Sequence, residues 1–297
     1  MPSDNIASGI GFQRKIGLFI PRERRSASMS IVTISRGSYS HGREVAEKVA
    51  QRLGYECIAR EVLLEASEQY NVPEAKLLEA IQNAPSVLDR FIYGKERYIA
   101  YIQAALLRHF RKDNVVYHGM AGHFFVRGIP HVLKVRIIAD LEERIRIVME
   151  REKVDRKEAI KYIEQLDEER RKWSRYLYGI DTWDPSLYDL VIHIRKLSVD
   201  DAAEIICRTL ELEKFRTTPE SQKAMEDLAL AAEVKAAVAA SRPDAEVSCK
   251  DGVVLVKLRA HESMEKAISK EVREAVRSIE GIKDLRVEIV PSTLFEM

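Results

Sequence analysis

The segment ISRGSYSHGREVAEKVAQRLGY, residues Ile34 to Tyr55, joins a short apolar run to an amphipathic helical pattern through a loop with two glycines. Gly37 and Gly42 are separated by four residues, which is the spacing of the phosphate-binding loop GxxxxGK[ST]. Two positions depart from that pattern, because Arg43 stands where lysine is expected and Glu44 where serine or threonine is expected. The segment predicts a strand, a loop and a helix, and it raises the question of whether the loop binds a nucleotide.

The loop can bind an anion without every consensus residue. Backbone N–H groups at a strand-to-helix turn, together with the positive end of the helix, attract phosphate by themselves. The two glycines are expected to supply the backbone angles of such a nest, and Arg43 offers a permanent cation that can bind phosphate oxygens in pairs. Glu44 repels phosphate unless Mg²⁺ or Arg43 lies between them, or it points outward from the helix. A plain turn whose serines only cap the helix is the alternative, and spacing alone leaves both open.

Short apolar runs then alternate with helical patterns, which predicts a parallel sheet covered by helices on both faces. After the first strand and its helix, which Gly54 ends, the predicted strands are Val115–His118, Val132–Ala139 and Tyr188–Ile194. The predicted helical segments are Arg60–Tyr70, Glu74–Asn83, Ser86–Tyr93, Glu96–Lys112, a long charged helical stretch over about Leu141–Tyr178, and a last helix that Ser198 caps and that runs to about Glu213.

A second unit follows a polar segment. Residues 216–223 contain a proline and break the pattern, so they are predicted to be a linker. An alanine-rich helix over 225–240, a hairpin turning at Asp251-Gly252, a helix over 262–279 and a last strand, LRVEIV, complete an α-β-β-α-β unit. The predicted organisation is therefore a flexible tail over 1–28, an α/β domain over 29–215, the linker, and a small α+β domain over 224–291.

Composition narrows the classes of function. The chain has 297 residues, 48 Lys and Arg against 47 Asp and Glu, and a net charge of +1, which argues against a general nucleic-acid binder. Three widely spaced cysteines match neither a disulfide framework nor a zinc site. No apolar run approaches the about 18 residues of a membrane span. These observations predict a cytoplasmic protein with no transmembrane segment.

The chain resembles the cytidylate-kinase-like family of the P-loop nucleoside monophosphate kinases. The resemblance lies in the first loop and in three later segments, NVVYHGMAGHFF, HVLKVRIIADLEERI and DEERRKWSRYLYGIDTWDPSLYDLVIHI. Members of that family commonly have Gly-Arg-Glu in place of Gly-Lys-Ser or Gly-Lys-Thr. The resemblance covers about residues 29–213. It implies a five-stranded parallel sheet, an ATP site with Mg²⁺ at the first loop, a monophosphate site in the helical insert and an arginine-bearing lid.

The resemblance also implies roles for particular residues. The ATP phosphates are expected on Gly37, Ser38, Tyr39, Ser40, His41, Gly42, Arg43 and Glu44. The lid is expected to contain Asp167, Arg170, Arg171 and Arg175. The spacing of four between three of these residues puts them on one helix face, and movable arginines suit phosphoryl transfer, which depends on positioning and charge neutralisation. The alternative is a solvated helix with internal ion pairs.

The acceptor region departs from the family pattern. Ala59 stands about where these kinases usually have an aspartate, and Met120 stands where many relatives have arginine. Arg60 either reaches an acceptor phosphate or is an ordinary surface residue. Asp181 belongs to a segment that the resemblance places near the nucleotide.

The unit over 224–291 resembles a BON domain, in AAEVKAAVAA, in the DGVVLVKLRA hairpin and in SIEGIKDLRVEIV. BON domains are associated with lipid or protein ligands. The chain is therefore expected to be an ATP-dependent kinase of a nucleoside monophosphate, with CMP or dCMP first. A nucleotide-binding regulator that signals through the BON-like domain, and a kinase for another small acceptor, remain open.

Overall fold

The computed structural model describes residues 29–82, 94–119 and 122–291. Five parallel strands form the main sheet in the order β2-β3-β1-β4-β5. The strands are β1 (Ile31–Arg36), β2 (Glu56–Ile58), β3 (Val115–His118), β4 (Val132–Ala139) and β5 (Leu190–Ile194). The predicted five-stranded parallel sheet is confirmed, and β1 lies at its centre, so the loop after β1 opens at the carboxyl edge where ligands of such sheets bind.

Helices cover both faces of this sheet. They are α1 (Gly42–Leu53), α2 (Glu61–Tyr70), α3 (Glu74–Gln82), α4 (Gly94–Phe110), α5 (Gly122–Phe125), α6 (Leu141–Glu152), α7 (Arg156–Tyr178) and α8 (Val199–Leu210). One apolar core joins the sheet to α4 and α5, and another joins it to α1 and α8. The predicted caps of α1 and α8 are present, since Gly54 ends α1 with φ of 70° and Ser198 accepts a hydrogen bond from the Asp201 amide.

The long helical stretch predicted over Leu141–Tyr178 consists of two helices, α6 and α7. Lys153 adopts a left-handed φ of 58° and ends α6, and Asp155 caps α7 by accepting a hydrogen bond from the Glu158 amide at 2.8 Å. The two helices therefore form a hairpin with its own small apolar core. The predicted helix over Ser86–Tyr93 lies outside the described residues, as do the predicted tail over 1–28 and Met120.

The predicted linker is shorter than the sequence pattern indicated. Helix α9 (Pro219–Val238) begins inside it, with Thr218 as the N-cap and Pro219 in the first turn. One face of α9, including Met225 and Ala229, belongs to the core that contains α4. Another face, including Val234, belongs to the core of the small sheet. The alanine-rich helix is thus buried on two sides, and it joins the two units by packing.

After α9, the chain forms β6 (Glu246–Lys250), β7 (Val253–Ala260), α10 (Glu265–Ala275) and β8 (Asp284–Pro291). The sheet order is β6-β7-β8, with β6 antiparallel and β8 parallel to β7. The hairpin turn lies at Asp251 and Gly252, whose φ values of 56° and 80° are both left-handed, as the Asp-Gly pair predicted. The order of elements agrees with the predicted α-β-β-α-β unit. Within the described part of the chain, no helix combines the length and the apolar character of a membrane span.

Candidate functional site

The loop between β1 and α1 crosses the carboxyl edge of the sheet. The amide of Gly37 donates to the Ile137 carbonyl at 3.1 Å, which ties the start of the loop to β4. The Ser40 hydroxyl is within hydrogen-bond distance of the carbonyls of Gly37 and Ile137, at 2.9 and 3.0 Å. Ser38 and Ser40 are both buried. Ser40 therefore does not cap α1, as the alternative of a plain turn would require, but connects the loop to the sheet.

The left-handed positions of the loop are Tyr39 and His41, with φ of 56° and 63°, and not the two glycines. The expectation that Gly37 and Gly42 supply those backbone angles is wrong. Gly42 is needed for a different reason, because a Cβ at that position would lie 2.7 Å from Cβ of Arg36. Left-handed residues in a turn are one component of the nests in which successive backbone amides bind an anion.

Asp167 of α7 contacts this loop. Its Oδ1 accepts a hydrogen bond from the Ser38 amide at 3.2 Å. Arg144 of α6 holds the arrangement from the other side, since its Nη2 lies 2.5 Å from Oδ2 of Asp167 and its Nε donates to the Ser38 carbonyl at 2.6 Å. A carboxylate is an anion, so the Ser38 amide already donates a hydrogen bond to an anion within the chain.

Two further side chains tie the loop to the α6–α7 hairpin. The Tyr39 hydroxyl donates to Glu152 at 3.0 Å, and the Tyr39 ring packs beside Tyr162 with ring centres 6.2 Å apart. Burial, and then the contact with Tyr162, raises the pKa of Tyr39. His41 Nε2 lies 3.2 Å from Glu143. The hairpin therefore lies closed over the loop and borders a cavity of about 490 Å³ with it.

Arg43 and Glu44 begin the exposed side of α1. Arg43 Nε donates to Glu47 at 2.7 Å, one helical turn further on, and this ion pair raises the pKa of the guanidinium. Arg43 and Glu44 both border the 490 Å³ cavity. To contact a phosphate on the loop, Arg43 must leave Glu47, which is a small cost for an exposed pair.

The predicted lid residues divide into two groups. Arg171 and Arg175 both donate to Asp181, at 3.0 and 2.7 Å, and the Trp183 amide donates to the same carboxylate. Burial raises the pKa of Asp181, but these three partners outweigh it, so the pKa is lowered. Asp167 contacts the loop as described, and Arg170 points into the interior between the loop and the sheet. The structure brings Asp167 and Arg170 to the loop and pairs the other two arginines with Asp181.

Arg60 lies at the start of α2, away from the loop. Its side chain is 65% exposed and its Nε donates to Glu74 at 2.7 Å. Ala59 donates its amide to Glu61. Arg60 borders neither of the two cavities beside the loop.

Three arginines, two of them absent from the sequence-based prediction, surround a cavity of about 60 Å³ beside Gly37. Arg36 ends β1, Arg136 lies in β4 and is buried, and Arg170 comes from α7. Arg136 interrupts the apolar run VLKVRIIA, and a cation inside a buried strand was the signal that could have identified it.

Two histidines on the cavity side of the sheet stay neutral. Burial, reinforced by Arg36, lowers the pKa of His118 to about 4, and burial, reinforced by Arg136, lowers the pKa of His123 to about 3. Neutral His118 lies 3.4 Å from Arg36 Nη1 through its Nδ1, which is therefore an acceptor. Among the described residues that border this cavity, the positive charge therefore comes from Arg36, Arg136 and Arg170.

The site matches a known family. Residues 31–196 match the model of the cytidylate kinase-like family. The chain belongs to this family. The matched residues run from β1 to the end of β5, so they include the loop, both arginine-bearing strands and the α6–α7 hairpin, while α9 and the small sheet lie beyond them.

Two of the curated relatives match this part of the chain over nearly their whole length. The chain is 28% identical over 190 residues to a cytidylate kinase of Archaeoglobus fulgidus, and this match covers 62% of this chain and 97% of that protein. It is 28% identical over 185 residues to a cytidylate kinase of Ignicoccus hospitalis, covering 61% and 99%. A cytidylate kinase of Methanosarcina acetivorans is 35% identical over 100 residues, covering 33% and 54%.

Solved structures with similarity to this region include an uncharacterised protein of Eubacterium ventriosum, with 22% identity, a TM-score of 0.45 and coverage of 61% of this chain and 98% of that one. A shikimate kinase of Bacteroides thetaiotaomicron has 12% identity, a TM-score of 0.38 and coverage of 62% and 99%.

Proposed function

We propose that the protein transfers a phosphoryl group from ATP to a nucleoside monophosphate, with CMP or dCMP as the first acceptors to test. Membership of the cytidylate kinase-like family supports this proposal. The observation that carries it is the hydrogen bond from the Ser38 amide to the Asp167 carboxylate, because an amide that donates to a carboxylate oxygen can donate to a phosphate oxygen in the same way.

ATP binding then requires an exchange. The β- and γ-phosphates would replace the Asp167 carboxylate at the Ser38 amide, and Arg144, which contacts both residues, would remain beside the incoming anion. Arg43 and Arg170, which border the loop cavity, would neutralise phosphate charge. Release of Asp167 also loosens the α6–α7 hairpin, so opening and closing of the lid would accompany each cycle.

The described residues do not form a magnesium site by themselves. Among residues 29–82, 94–119 and 122–291, no three acidic, His or Cys side chains converge on a metal position. Mg²⁺ in phosphoryl-transfer sites commonly needs only one or two carboxylates, because phosphates and water supply the other ligands. Glu44, at the first turn of α1 and on the loop cavity, is the candidate ligand. The ion would neutralise the phosphates as charge develops.

The test is ADP formation from Mg-ATP with CMP, dCMP, UMP, AMP or GMP and without an acceptor. We expect at least one monophosphate to raise the rate of ADP formation well above the rate with ATP alone. Chromatography of the products should show the matching diphosphate in equal amount. Equal rates with and without all five acceptors would contradict the proposal.

A nucleotide-binding regulator is the second candidate. The closed contacts between the loop and the α6–α7 hairpin favour it, because a nucleotide must break them and its binding would therefore change the hairpin position. In this function the BON-like unit, which shares α9 with the α/β core, reports the bound state to a protein or lipid ligand. Tight ATP binding without acceptor-stimulated turnover would favour this candidate.

A further inference from the structure

The small sheet has a free edge at β8. In the described part of the chain, β8 pairs with β7 on one side and with no strand on the other. It is eight residues long, and an edge strand of this length presents a row of N–H and C=O groups to which another strand can bind. Arg273 of α10 donates to the Leu285 carbonyl at 3.3 Å, and a carbonyl oxygen can accept a second hydrogen bond. The edge at β8 is therefore open to a further strand.

The opposite edge, β6, is shorter and is held by α9. It has five residues. The Lys235 ammonium donates to the Ala245 carbonyl directly before β6. The Cys249 thiol, near the end of β6, lies 3.2 Å from the Asp227 carboxylate of α9. Of the two edges of this sheet, β8 thus offers a partner the longer strand.

Alternate residues of β8 lie on opposite faces of the sheet. On the inner face, which packs on the helices, the apolar residues are Leu285, Val287 and Ile289. On the outer face, charged residues of alternating sign follow one another, namely Asp284, Arg286 and Glu288. The side chains of these three charged residues are more than half exposed. Their ion pairs within the chain are surface pairs, which contribute little to stability and can exchange partners.

The order of the charges on β8 decides whether the strand can pair with itself. When two copies of one strand pair in antiparallel orientation about a two-fold axis, the axis passes between two copies of the same residue. If that residue is Arg286 or Glu288, two like charges face each other directly, which is destabilising. If it is Val287, Arg286 of each copy faces Glu288 of the other, and two pairs of opposite charge form. The charges therefore select one register over its neighbours.

The same register also joins the apolar residues of the two strands. With the axis at Val287, the two Val287 side chains face each other, and Leu285 of each copy faces Ile289 of the other. All of these residues lie on the inner face, so the core of one small sheet continues into the core of the other. Charges on an edge strand usually keep unrelated strands away, and on β8 their order rejects the neighbouring registers while it favours this one.

We propose that β8 binds β8 of a second copy of this chain, in antiparallel orientation and with the two-fold axis at Val287. The two small sheets then form one sheet of six strands, because each contributes β6, β7 and β8. The same surface of each copy makes the contact, so the assembly closes after two copies. The contact involves the small unit alone and does not depend on the proposed function.

The first test is the mass of the full chain in solution. Sedimentation equilibrium is measured for the wild type from micromolar to submillimolar concentrations. We expect a reversible change from one copy to two as the concentration rises, with no larger species. A chain that stays single over the whole range, or one that forms assemblies of more than two copies, would overturn the proposal.

The second test reverses charges on β8. Arg286→Glu and Glu288→Arg should each weaken self-association tenfold or more, because each variant places two like-charged pairs across the axis. An equimolar mixture of the two variants should dimerise as the wild type does, since opposite charges then meet at both positions. This recovery would also show that both variants are folded. The control is Lys250→Glu, which reverses an exposed charge on β6 and should leave the dimer unchanged.

The variants also identify the results that contradict pairing at β8. If Arg286→Glu and Glu288→Arg both associate as the wild type does, another surface joins the two copies. If the single variants dissociate and their mixture also stays monomeric, the two charges do not face each other across an axis. If Lys250→Glu dissociates the dimer and Arg286→Glu does not, the contact lies at β6.

Discussion

Asp167 accepts a hydrogen bond from the backbone amide of Ser38 at 3.2 Å, although the two residues are 129 positions apart in the chain. This contact connects the α6–α7 hairpin directly to the loop that follows β1. Under the proposed function, a phosphate oxygen of the nucleotide would bind where this carboxylate lies, so the hairpin and the nucleotide would compete for the same amide. The competition gives the clearest prediction about the loop.

Asp167→Asn should tighten Mg-ATP binding by about tenfold or more, because ATP no longer displaces a charged hydrogen bond of about 1.5–3 kcal/mol. The same change should lower the free energy of unfolding without ligand, since Arg144 loses its ion pair. Calorimetric titration with Mg-ATP measures the first effect, and denaturant unfolding measures the second. Asp200→Asn, at an exposed position on α8, is the control. Equal or weaker ATP binding in Asp167→Asn would contradict the competition.

Arg43→Ala should weaken Mg-ATP binding by tenfold or more, the size expected for a hydrogen bond to a charged group, about 1.5–3 kcal/mol. Arg43 is paired with Glu47 in the absence of nucleotide, so Glu47→Ala tests the exchange of partners. We expect Glu47→Ala to change the dissociation constant by less than threefold. If Arg43→Ala binds ATP as the wild type does, Arg43 does not contact the phosphates.

His131 should make the protein less stable in mild acid. It is fully buried, and burial lowers its pKa from 6.5 to about 4. Below pH 6.5 the unfolded chain takes up a proton that the folded chain does not, so the free energy of unfolding falls as the pH falls toward 4. The slope approaches about 1.4 kcal/mol per pH unit for one group. Above pH 6.5 the stabilisation is complete.

Denaturant unfolding of the wild type, His131→Gln and the exposed-site control His261→Gln at pH 7 and 5.5 measures this slope. We expect a smaller slope in His131→Gln only. The range stops at 5.5 because burial raises the pKa of the neighbouring Asp113, which acts in the opposite direction at lower pH. Three equal slopes would show that His131 is not buried in its neutral form.

Ala229→Asp should destabilise the α/β core even though it lies outside the family region. Ala229 is 1% exposed and packs in the core that includes α4. An aspartate there buries a charge without a partner, at a cost of more than about 2 kcal/mol. Glu226→Asp introduces the same side chain at an exposed position of α9 and should change stability little. Equal unfolding midpoints for both variants would mean that α9 does not share this core.

The sequence predicted the main sheet well because its signals are local. Alternation of short apolar runs with helical patterns identified β1, β3 and β4, and the Asp-Gly turn identified the β6–β7 hairpin. Capping residues mark two helix starts that the prediction did not locate. Asp155 with Glu158 is a capping box that divides the long helix, and Thr218 with Pro219 starts α9 inside the predicted linker.

The site was less predictable because its contacts are distant in sequence. The glycine spacing located the loop, but the left-handed residues proved to be Tyr39 and His41. Asp167, Arg171 and Arg175 are four residues apart, which predicted that they share one helix face. Their hydrogen-bond partners, however, depend on where Ser38 and Asp181 lie in the fold. No sequence pattern brings Arg36 to Arg136 and Arg170, since strand order and helix docking decide it.

Backbone amide shifts during titration with Mg-ATP test most directly whether this loop is a polyphosphate site. In ¹H–¹⁵N NMR spectra we predict saturable shifts concentrated at residues 37–44, with Ser38 among the largest because its amide changes partner from Asp167 to phosphate. Amides of the small sheet β6-β7-β8 serve as the internal reference. Constant shifts at residues 37–44 at millimolar Mg-ATP would contradict both the kinase and the regulator.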